Sequence, residues 1–394
     1  MQRKSVIVAA KRTPIGSFQG QLSTLSASDL ASCVIRQILE DVQISPDTID
    51  EVILGNVLSA GQGQSPARQA TLKGGCPNTV ETLTINKMCG SGLKAVMLAD
   101  QAIRCGHADI IIAGGMESMS NSPHLLKDFR RGKKLGHSGI VDSVIYDGLW
   151  DVYTDQHMGN CAEMLVTDRK YSREDQDNYA IESYKRAISS IDAGIFKTEI
   201  VPIEVKKKNG ESHFIVNDEE PSNVRYDKIS KLKPAFEING TITAANASKL
   251  NDGAAVLLIM SSEKAKDLGL KPLATILDQA SSAHDPEWFT TAPTKAIDKV
   301  LSKAKLKPTD IDLWEINEAF SVVAMAAIHD FQLDDKKVNI YGGAVSLGHP
   351  IGASGARILT TLINGMERTS SKLGLASLCI GGGEASAIIV ENYD

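Results

Sequence analysis

The sequence predicts a duplicated, layered α/β fold that carries an inserted segment, and three observations support this prediction. Strand-like and helix-like patterns alternate in both the first and the last third of the chain. The two regions follow one order, and in each the third helix begins after a turn rich in glycine and serine. Such alternation is typical of a mostly parallel sheet covered by helices on both faces. We therefore expect two half-domains separated by a long insertion.

The first half is predicted to follow the order βαβαβαβ. Short apolar runs indicate buried strands, and apolar residues recurring on one helical face indicate helices. The elements are strand 5–10, helix 26–42, strand 51–57, helix 66–72, strand 81–86, helix 91–104 and strand 109–115. One more strand, 254–260, follows the insertion. We assign residues 1–119 to this half and expect 250–270 to complete it.

The second half, residues 271–394, is predicted to follow the order βαβαβαββ. Its elements are strand 273–280, helix 293–305, strand 311–316, helix 318–330, strand 338–340, helix 353–367, strand 375–383 and strand 385–392. Residues 120–249 break the alternation with loops, a Lys/Glu-rich ribbon and a long helix capped at Ser172. Because an insertion of this length usually builds a lid or a ligand-binding face, we expect it to bind part of the substrate.

Composition excludes several classes of protein. The net charge of -6 argues against a general nucleic-acid binder, and the basic runs 129–134 and 205–210 are typical of solvated faces. No apolar run approaches the roughly 18 residues that cross a bilayer, so we expect no membrane partner. The six cysteines form no CxxC pair, which argues against a metal site and favours a reducing compartment.

The beginning of the chain bears on localisation. An apolar strand pattern begins within five residues of Met1, which leaves no room for a signal sequence. We therefore expect a cytoplasmic protein, or a mitochondrial one if a presequence has been removed.

Cys89, in "NKMCGSG", stands just before helix 91–104. The positive end of a helix dipole lowers the pKa of a nearby thiol, which is how an attacking cysteine is activated. An inert buried cysteine is the alternative. The same stretch fits a dinucleotide-binding G-x-G-x-x-A, but Asp109 begins the next strand instead of ending it, which disfavours that interpretation.

The second half supplies matching chemistry. His349 lies in "GGAVSLGHPIGASG", at the position that corresponds to Cys89. If the halves pack with pseudo-twofold symmetry, the two helix N-termini face each other, and Cys89 and His349 are a thiol and its base. Cys379 ends a strand, where ligands bind in open α/β sheets. Asn317 also ends a strand, where its amide could cap a helix or hold a water.

Six ordered motifs together resemble the thiolase family over practically the whole chain. They are "NKMCGSGLKA", "HMG", "ANASKLNDGAA", "EINEAF", "GGAVSLGHPIGASGAR" and "CIGGGEASA". The resemblance implies the layered αβαβα thiolase fold and an acyltransferase that condenses two acetyl-CoA reversibly to acetoacetyl-CoA and CoA through an acyl-cysteine. A broader-chain 3-ketoacyl-CoA thiolase of fatty-acid degradation is the alternative.

The resemblance also implies the role of each reactive residue. Cys89 attacks the thioester while His349 accepts its proton, and Cys379 removes the alpha proton of the second acetyl-CoA. His349 and a water held by Asn317 stabilise the enolate, and the N–H groups of Cys89 and Gly381 stabilise the tetrahedral oxygen. A thiolase-like carrier or scaffold without activity would lack at least one of the reactive side chains, and all are present.

Further residues are implied to contact the substrate or CoA. They are Ser248, His157, Met158, Phe289, Phe320, Tyr184, Arg225 and Lys228. His157 and Met158 resemble the short-chain type, and Phe289 motivates the hypothesis that a 2-methyl-branched substrate is accepted. "EEPSNVRYDKISKLK" lacks an arginine that family members carry a few residues earlier, which leaves the nucleotide contacts open. The sequence gives no explanation for Glu384, a charge directly after the glycines.

For cofactors and partners the resemblance implies little beyond the substrates. Acyl-CoA and CoA are substrate and product, so we expect no resident cofactor and no metal site. Potassium activates one subtype of the family. A homo-oligomer, either dimer or tetramer, is expected.

Overall fold

The computed structural model describes residues 3–206 and 210–393, and its central feature is a mixed sheet of ten strands. Residues 207–209, part of the basic run noted above, lie outside the described residues. The strands are β1 (Ser5–Arg12), β2 (Gly16–Ser17), β3 (Glu51–Gly55), β4 (Glu81–Ile85), β5 (Ile110–Ser118), β6 (His124–Leu125), β7 (Val141–Asp142), β8 (Trp150–Asp151), β9 (Gln156–His157), β10 (Ile203–Lys206), β11 (Ser212–Ile215), β12 (Asn251–Ser261), β13 (Ala274–Ala283), β14 (Leu313–Ile316), β15 (Leu373–Ile380) and β16 (Glu384–Asn392).

The helices lie mostly where their apolar periodicity predicts them, within three residues at each end. They are α1 (Ala27–Val42), α2 (Pro66–Lys73), α3 (Ser91–Arg104), α4 (Met158–Arg169), α5 (Arg173–Asp192), α6 (Tyr226–Ile229), α7 (Ser262–Asp267), α8 (Ala292–Ala304), α9 (Ser321–Phe331), α10 (Ala344–Leu347) and α11 (Ser354–Thr369). Within the ranges the structure describes, no helix is both long and apolar enough to cross a membrane.

The strand order repeats in the two halves of the sheet. It runs β1-β12-β5-β3-β4 on one side and β13-β16-β15-β14 on the other. The two sets meet where β1 and β13 pair over two residues each. The predicted strand 338–340 is wrong as a full strand, because Val338 forms only an isolated parallel bridge with Trp314. It occupies the position that β4 has in the other half.

The prediction of a mostly parallel sheet is wrong. Among the strands of the described residues, only the pairs β3–β4, β3–β5 and β14–β15 are parallel. The pairs β1–β12, β5–β12, β13–β16 and β15–β16 are antiparallel. The turn Gly381–383 is too short for a crossover helix, so β16 must run antiparallel to β15.

Three helical layers alternate with the two halves of the sheet, which confirms the predicted αβαβα arrangement. Helices α1 and α2 cover the outer face of the first half. Helices α3 and α11 lie between the halves and share one apolar core with strands of both. Helices α8 and α9 cover the outer face of the second half. The central pair carries the two turns that the sequence marked as reactive.

The N-termini of α3 and α11 face each other at very close range, as the pseudo-twofold argument predicted. A methyl group on Gly92 would lie 2.9 Å from the backbone nitrogen of Ala356. One on Gly355 would lie 2.5 Å from the backbone nitrogen of Leu93. Because such contacts are closer than real side chains make, glycine is required on both helices.

The insertion is fixed to the sheet by a buried ion cluster. Arg12 of β1 donates from Nε to Glu199 at 2.6 Å and from Nη1 to Asp218 at 2.7 Å. All three side chains are buried. Helix α5 begins with the predicted cap, since Ser172 Oγ accepts from the backbone N–H of Asp175 at 3.0 Å. The insertion therefore has a defined position above the sheet.

Candidate active site

A cavity of about 310 Å³ lies where the two halves and the insertion meet. Many of the residues that the sequence singled out line it together: Cys89, His157, Met158, Ser248, Phe289, Phe320, His349 and Gly381. A π-helical turn of the insertion, Val144–Leu149, closes one side. Residues more than 250 positions apart therefore face one small space.

Cys89 stands on a tight turn that its neighbours hold. The hydroxyl of Ser91 accepts from the N–H of Lys87 at 2.8 Å and donates to the carbonyl of Met88 at 2.7 Å. Asn86 Oδ1 accepts from the N–H of Met88 at 3.0 Å. Met88 has φ of 46°, a left-handed conformation that is strained for this residue type. These bonds compensate the strain and present Cys89 to the cavity ahead of α3.

Burial, not the helix dipole, dominates the acidity of Cys89. Burial raises the pKa of the thiol to about 11, and the negative charge of Glu117 adds to this. The backbone N–H groups of Gly381 and of Cys89 itself lie against the sulfur and act in the opposite direction. The prediction of a lowered pKa is therefore wrong for the free protein. At neutral pH the thiol keeps its proton and needs a base.

His349 has one ring nitrogen engaged and one free. Its Nδ1 lies 2.6 Å from Ser354 Oγ, while Nε2 is buried and has no hydrogen-bond partner among the described residues. The hydroxyl of Ser354 donates to the carbonyl of Pro350 at 2.9 Å. Since a hydroxyl has one proton, Ser354 accepts the Nδ1–H, which leaves the lone pair on Nε2. Burial, with repulsion from Arg357, lowers the pKa of His349 to about 3.

Asn317 contacts His349 from behind and does not line the cavity. Its Nδ2 lies 3.5 Å from Nδ1 of His349, and its Oδ1 accepts from Arg357 Nη2 at 3.5 Å. Arg357 also donates to the buried Glu315 at 3.3 Å. This chain of contacts orients the Asn317 amide. No helix-capping bond is made by Asn317 among the described residues, since the N-cap of α9 is Phe320.

Cys379 lies behind the cavity wall at the end of β15. It is fully buried and packs in one cluster with Met158 and Phe320, which do line the cavity. Its pKa is raised well above the usual value, first by burial and then by repulsion from Cys89. A methyl group on Gly90 would also collide with the side chain of Ile380, so the residues that follow the two thiols in the chain are in contact. The structure therefore brings both thiols to one place, as the sequence argument required.

The turn after Cys379 explains why a charged residue, Glu384, follows the glycines. Gly382 and Gly383 have φ of 90° and 79°, which only glycine adopts freely. Directly after them, Glu384 forms an ion pair with Lys87, two residues before Cys89. The pair connects the turn that follows Cys379 with the turn that carries Cys89.

Aromatic rings form the wall opposite the thiols. His157 stacks on Phe236 with centroids 4.8 Å apart, and Phe320 meets Phe236 edge to face at 6.0 Å and Phe289 at 6.2 Å. Burial lowers the pKa of His157, and its Nδ1 accepts from the N–H of Gly159 at 3.0 Å. Sequence reasoning missed Phe236, although it is the one aromatic residue of "KLKPAFEING".

The remaining predicted contacts do not reach the cavity. Tyr184 is buried beneath the site, with its ring centroid 5.5 Å from the Lys249 Nζ. Arg225 and Lys228 are exposed on and beside the short helix α6 and do not line the cavity. Lys249, which sequence reasoning passed over, does line it, and burial lowers the pKa of this lysine to about 8.

Glu117 is a second residue that sequence reasoning missed. Its buried carboxylate accepts from the N–H groups of Val57 and Leu58, both at 3.1 Å, and from that of Gly352 at 2.9 Å. It thereby joins the loop after β3 to the loop that carries His349. Burial raises its pKa to about 7. A charged residue closing the apolar strand "IIIAGGMES" was the signal available.

Comparisons with known proteins agree with this architecture. The family model "Thiolase, N-terminal domain" matches residues 5–263, and "Thiolase, C-terminal domain" matches residues 270–392. A Staphylococcus aureus (strain MSSA476) relative named "Probable acetyl-CoA acyltransferase" is 48% identical over 389 residues, 98% of this chain and 99% of the relative.

Two solved structures are also similar over nearly the whole chain. The Bacillus anthracis acetyl-CoA acetyltransferase is 41% identical with a TM-score of 0.97, covering 99% of each chain. The Acat5 thiolase from Ascaris suum, solved in complex with coenzyme A, is 43% identical with a TM-score of 0.93. It covers 99% of this chain and 100% of the Ascaris chain.

The fold and these matches define an acyltransferase enzyme. More particularly, the chain belongs to the thiolase family, whose members act on acyl-CoA and CoA.

Proposed function

We propose that this protein is an acetyl-CoA C-acetyltransferase that joins two acetyl-CoA to acetoacetyl-CoA and CoA, and that catalyses the reverse thiolysis. The observation that carries the proposal is the placement of Cys89 and the unpaired Nε2 of His349 on one small apolar cavity, with Cys379 directly behind its wall. The similarity to the Bacillus acetyl-CoA acetyltransferase supports the same reaction.

The first step forms an acyl-enzyme. Cys89 Sγ attacks the thioester carbonyl of acetyl-CoA while its proton passes to Nε2 of His349, and the departing CoA thiolate takes the proton of Cys379, which leaves Cys379 as thiolate. The raised pKa of Cys89 and the lowered pKa of His349 keep both groups neutral beforehand. The proton therefore moves as the new carbon–sulfur bond forms, and no ion pair waits in the free protein.

The second step makes the carbon–carbon bond. Cys379, left as thiolate by the first step, removes a proton from the methyl group of a second acetyl-CoA, and the carbanion attacks the acetyl carbonyl on Cys89. Acetoacetyl-CoA leaves and Cys89 is released as thiolate, which takes back the proton held by Nε2 of His349, while Cys379 keeps the proton from the methyl group. The strongly raised pKa of Cys379 makes its thiolate a strong base, as this carbon acid requires.

Negative oxygen develops in both steps and needs donors in place. The N–H groups of Cys89 and Gly381 already converge on the Cys89 sulfur, so we assign them to the tetrahedral oxygen. One such donor is typically worth about 3 kcal/mol of barrier. We assign the enolate oxygen to the Nε2–H of His349, which carries the proton of Cys89 at this stage, with Asn317 contacting the ring from behind.

The path for CoA continues outward from the cavity. A groove of about 490 Å³ shares Phe236, Ala247, Ser248 and Lys249 with it. We assign the pantetheine arm to this path, with Ser248 at the boundary. The Ascaris thiolase solved with coenzyme A supports CoA as the ligand.

A broader-chain 3-ketoacyl-CoA thiolase is the second candidate, and one observation favours it. Another groove, of about 590 Å³, adjoins the acyl end of the cavity beside Met158 and Gly381. A long acyl chain would need such a space. The aromatic wall and the small volume of the cavity itself favour the short chain.

Two measurements test the proposal. After incubation with acetyl-CoA and no acceptor, mass spectrometry should find one acetyl group on Cys89, and Cys89→Ala should abolish it. Purified protein should cleave acetoacetyl-CoA with CoA far faster than it cleaves 3-ketooctanoyl-CoA. Acetylation at another residue, or a preference for the longer chain, would contradict the proposal.

A further inference from the structure

Lys249 places its terminal nitrogen between the segment that we assign to the CoA arm and the segment that carries the base. The residue lines both the catalytic cavity and the groove assigned to pantetheine. Its Nζ donates to the carbonyl of Ala247 at 2.9 Å and to the carbonyl of Val345 at 3.3 Å. One acceptor directly precedes Ser248, and the other lies four residues before His349. A single side chain therefore bridges the two segments.

The segment that carries His349 is fixed at several points near this bridge. Glu318 accepts from the N–H of Val345 at 3.1 Å, so Val345 is bonded through both its N–H and its carbonyl. Further along the chain, Oδ1 of Asn251 accepts from the N–H of His349 at 2.8 Å. Of these bonds, the one from Lys249 also reaches the carbonyl that precedes the CoA-binding residue.

The bridge carries a positive charge at neutral pH. Burial lowers the pKa of Lys249 to about 8, and the charges of Glu220 and Glu318 oppose this shift. Tyr184 lies beneath, with its ring centroid 5.5 Å from Nζ, and it stays neutral because burial raises its pKa. Lys249 is therefore an ammonium ion at pH 7 and a neutral amine above about pH 9.

Both carbonyls depend on that charge. A hydrogen bond from an ammonium group is roughly twice as strong as one from a neutral amine. The oxygens of Ala247 and Val345 also point towards one common nitrogen. Their partial negative charges repel each other once the positive charge between them is lost. Deprotonation of Lys249 therefore weakens the bridge and favours separation of the two segments.

We propose that Lys249 is a positioning residue that holds the CoA-binding segment at Ser248 at a fixed distance from His349, and that it does so as an ammonium ion. This inference rests on the proposed acylation of Cys89. Lys249 acts through the backbone of the two segments and not on the reacting atoms. It fixes where the thioester lies relative to the base, and a misplacement of about 1 Å can cost about a hundredfold in rate.

The rate of acetyl transfer from acetyl-CoA to Cys89 tests this role, measured by rapid quench after a jump to each pH. Lys249→Met keeps most of the aliphatic side chain but removes the charge and the donors. Because hydrogen bonds to charged groups are strong, we expect this variant to acylate about tenfold or more slowly than wild type at pH 7. The difference should shrink to about threefold or less at pH 9.5, with its midpoint near pH 8.

The ratio of the two rates isolates Lys249 from the other titrating groups of the site. The pKa of Cys89 is about 11 and that of His349 about 3, so neither group titrates near pH 8. Burial raises the pKa of Cys379 well above its usual value. Glu117, with a pKa of about 7, is present in wild type and variant alike and affects both rates.

Lys299→Met is the matched control. Nζ of Lys299 also donates to a backbone carbonyl, that of Ser281 at 3.0 Å, but Lys299 lines neither the cavity nor the CoA groove. This variant should acylate like wild type at every pH. Lys249→Gln, which keeps a neutral N–H donor, is measured as well and carries the test if Lys249→Met does not fold. It should also lose rate at pH 7 and approach wild type at pH 9.5.

The outcomes separate the positioning role from packing and from the reaction itself. A ratio of wild-type to variant rate that stays constant from pH 7 to 9.5 shows that Lys249 only packs the segment, and it overturns the proposal. A rate within twofold of wild type at pH 7 for Lys249→Met, or for Lys249→Gln in its place, overturns it as well. If acetyl-CoA leaves no acetyl group on Cys89 of the wild type, the proposed function fails instead.

Discussion

Replacing Ser354 with alanine should impair His349 as the base that accepts the Cys89 proton. The change does not alter any residue that we assign to contact the substrate. Ser354 Oγ lies 2.6 Å from Nδ1 of His349 and is the group that accepts the Nδ1–H. Once it is gone, the remaining hydrogen-bond partner of Nδ1 among the described residues is the amide nitrogen of Asn317 at 3.5 Å, which is a donor. The imidazole then gains by moving its proton to Nε2 and accepting from Asn317 at Nδ1. In that tautomer Nε2 cannot take the proton of Cys89.

The magnitude follows from the hydrogen bond that is lost. A buried polar group deprived of its partner costs about 1–3 kcal/mol. To react, the variant must return to the tautomer that lacks this bond, so the cost appears in the barrier to acylation. Since 1.36 kcal/mol corresponds to a tenfold change in rate, we expect acylation to slow by about 5- to 150-fold.

Rapid-quench measurement of acetyl transfer from acetyl-CoA to Cys89 gives this rate directly. Nitrogen NMR of ¹⁵N-labelled imidazole reports which ring nitrogen of His349 carries the proton. Ser346→Ala is the matched control, because Ser346, in α10 just before His349, is also buried and directs its hydrogen bonds to Ser183 and Gly343. Thermal unfolding of both variants measures the purely structural cost.

The reasoning is refuted if Ser354→Ala acylates within twofold of wild type while the proton stays on Nδ1. It is also refuted if Ser346→Ala slows acylation as much as Ser354→Ala does at equal loss of stability. Either result would show that Ser354 packs the loop without selecting the tautomer.

Four further predictions follow from the site and its scaffold. Cys379→Ala should still form the acetyl-enzyme on Cys89 but lose condensation and thiolysis by more than about a thousandfold, because the alpha proton has no other base; mass spectrometry and a coupled assay separate the two steps. Alkylation of Cys89 by iodoacetamide should accelerate up to about pH 10 without a plateau, because the raised pKa leaves about one thiol in a thousand ionised at pH 8; a plateau below pH 9 contradicts this. Gly355→Ala should lower the free energy of unfolding by about 3 kcal/mol, because the added methyl meets backbone; urea unfolding of Gly139→Ala, where a methyl group would meet no described residue other than its chain neighbours within 4 Å, is the control. If Phe289 shapes a pocket for a methyl branch, Phe289→Met should change the ratio of cleavage rates for 2-methylacetoacetyl-CoA and acetoacetyl-CoA at least threefold, and an unchanged ratio sinks that hypothesis.

Local patterns predicted the elements well because each depends on neighbours in sequence. Helices 91–104 and 353–367 follow from apolar periodicity, and the cap of α5 follows from Ser172 with Asp175 three residues later. The strand at 338–340 was overpredicted, because a short apolar run cannot indicate whether a neighbouring strand is long enough to pair with it. The directions of the strands were also mispredicted. They depend on where the chain returns to the sheet, which a local pattern does not indicate.

The residues of the candidate site were likewise predicted only in part from the sequence. Motifs identified Cys89, His349 and Cys379, since reactive residue types in glycine-rich turns are visible in sequence. They did not identify Glu117, whose partners come from two loops far apart in the chain. They also placed Tyr184 on the substrate, whereas packing buries it below Lys249.

The sequence alone determined the alternation of elements, the duplication and the reactive residues, because these are properties of local pattern and residue type. The tertiary structure alone decided the acidities and the boundaries of the cavity. Burial in a low-dielectric interior reversed the shift that the helix dipole predicted for Cys89, and it made His349 a neutral base. Solvation and packing depend on every group that surrounds a side chain, and those groups are brought together only by the folded chain.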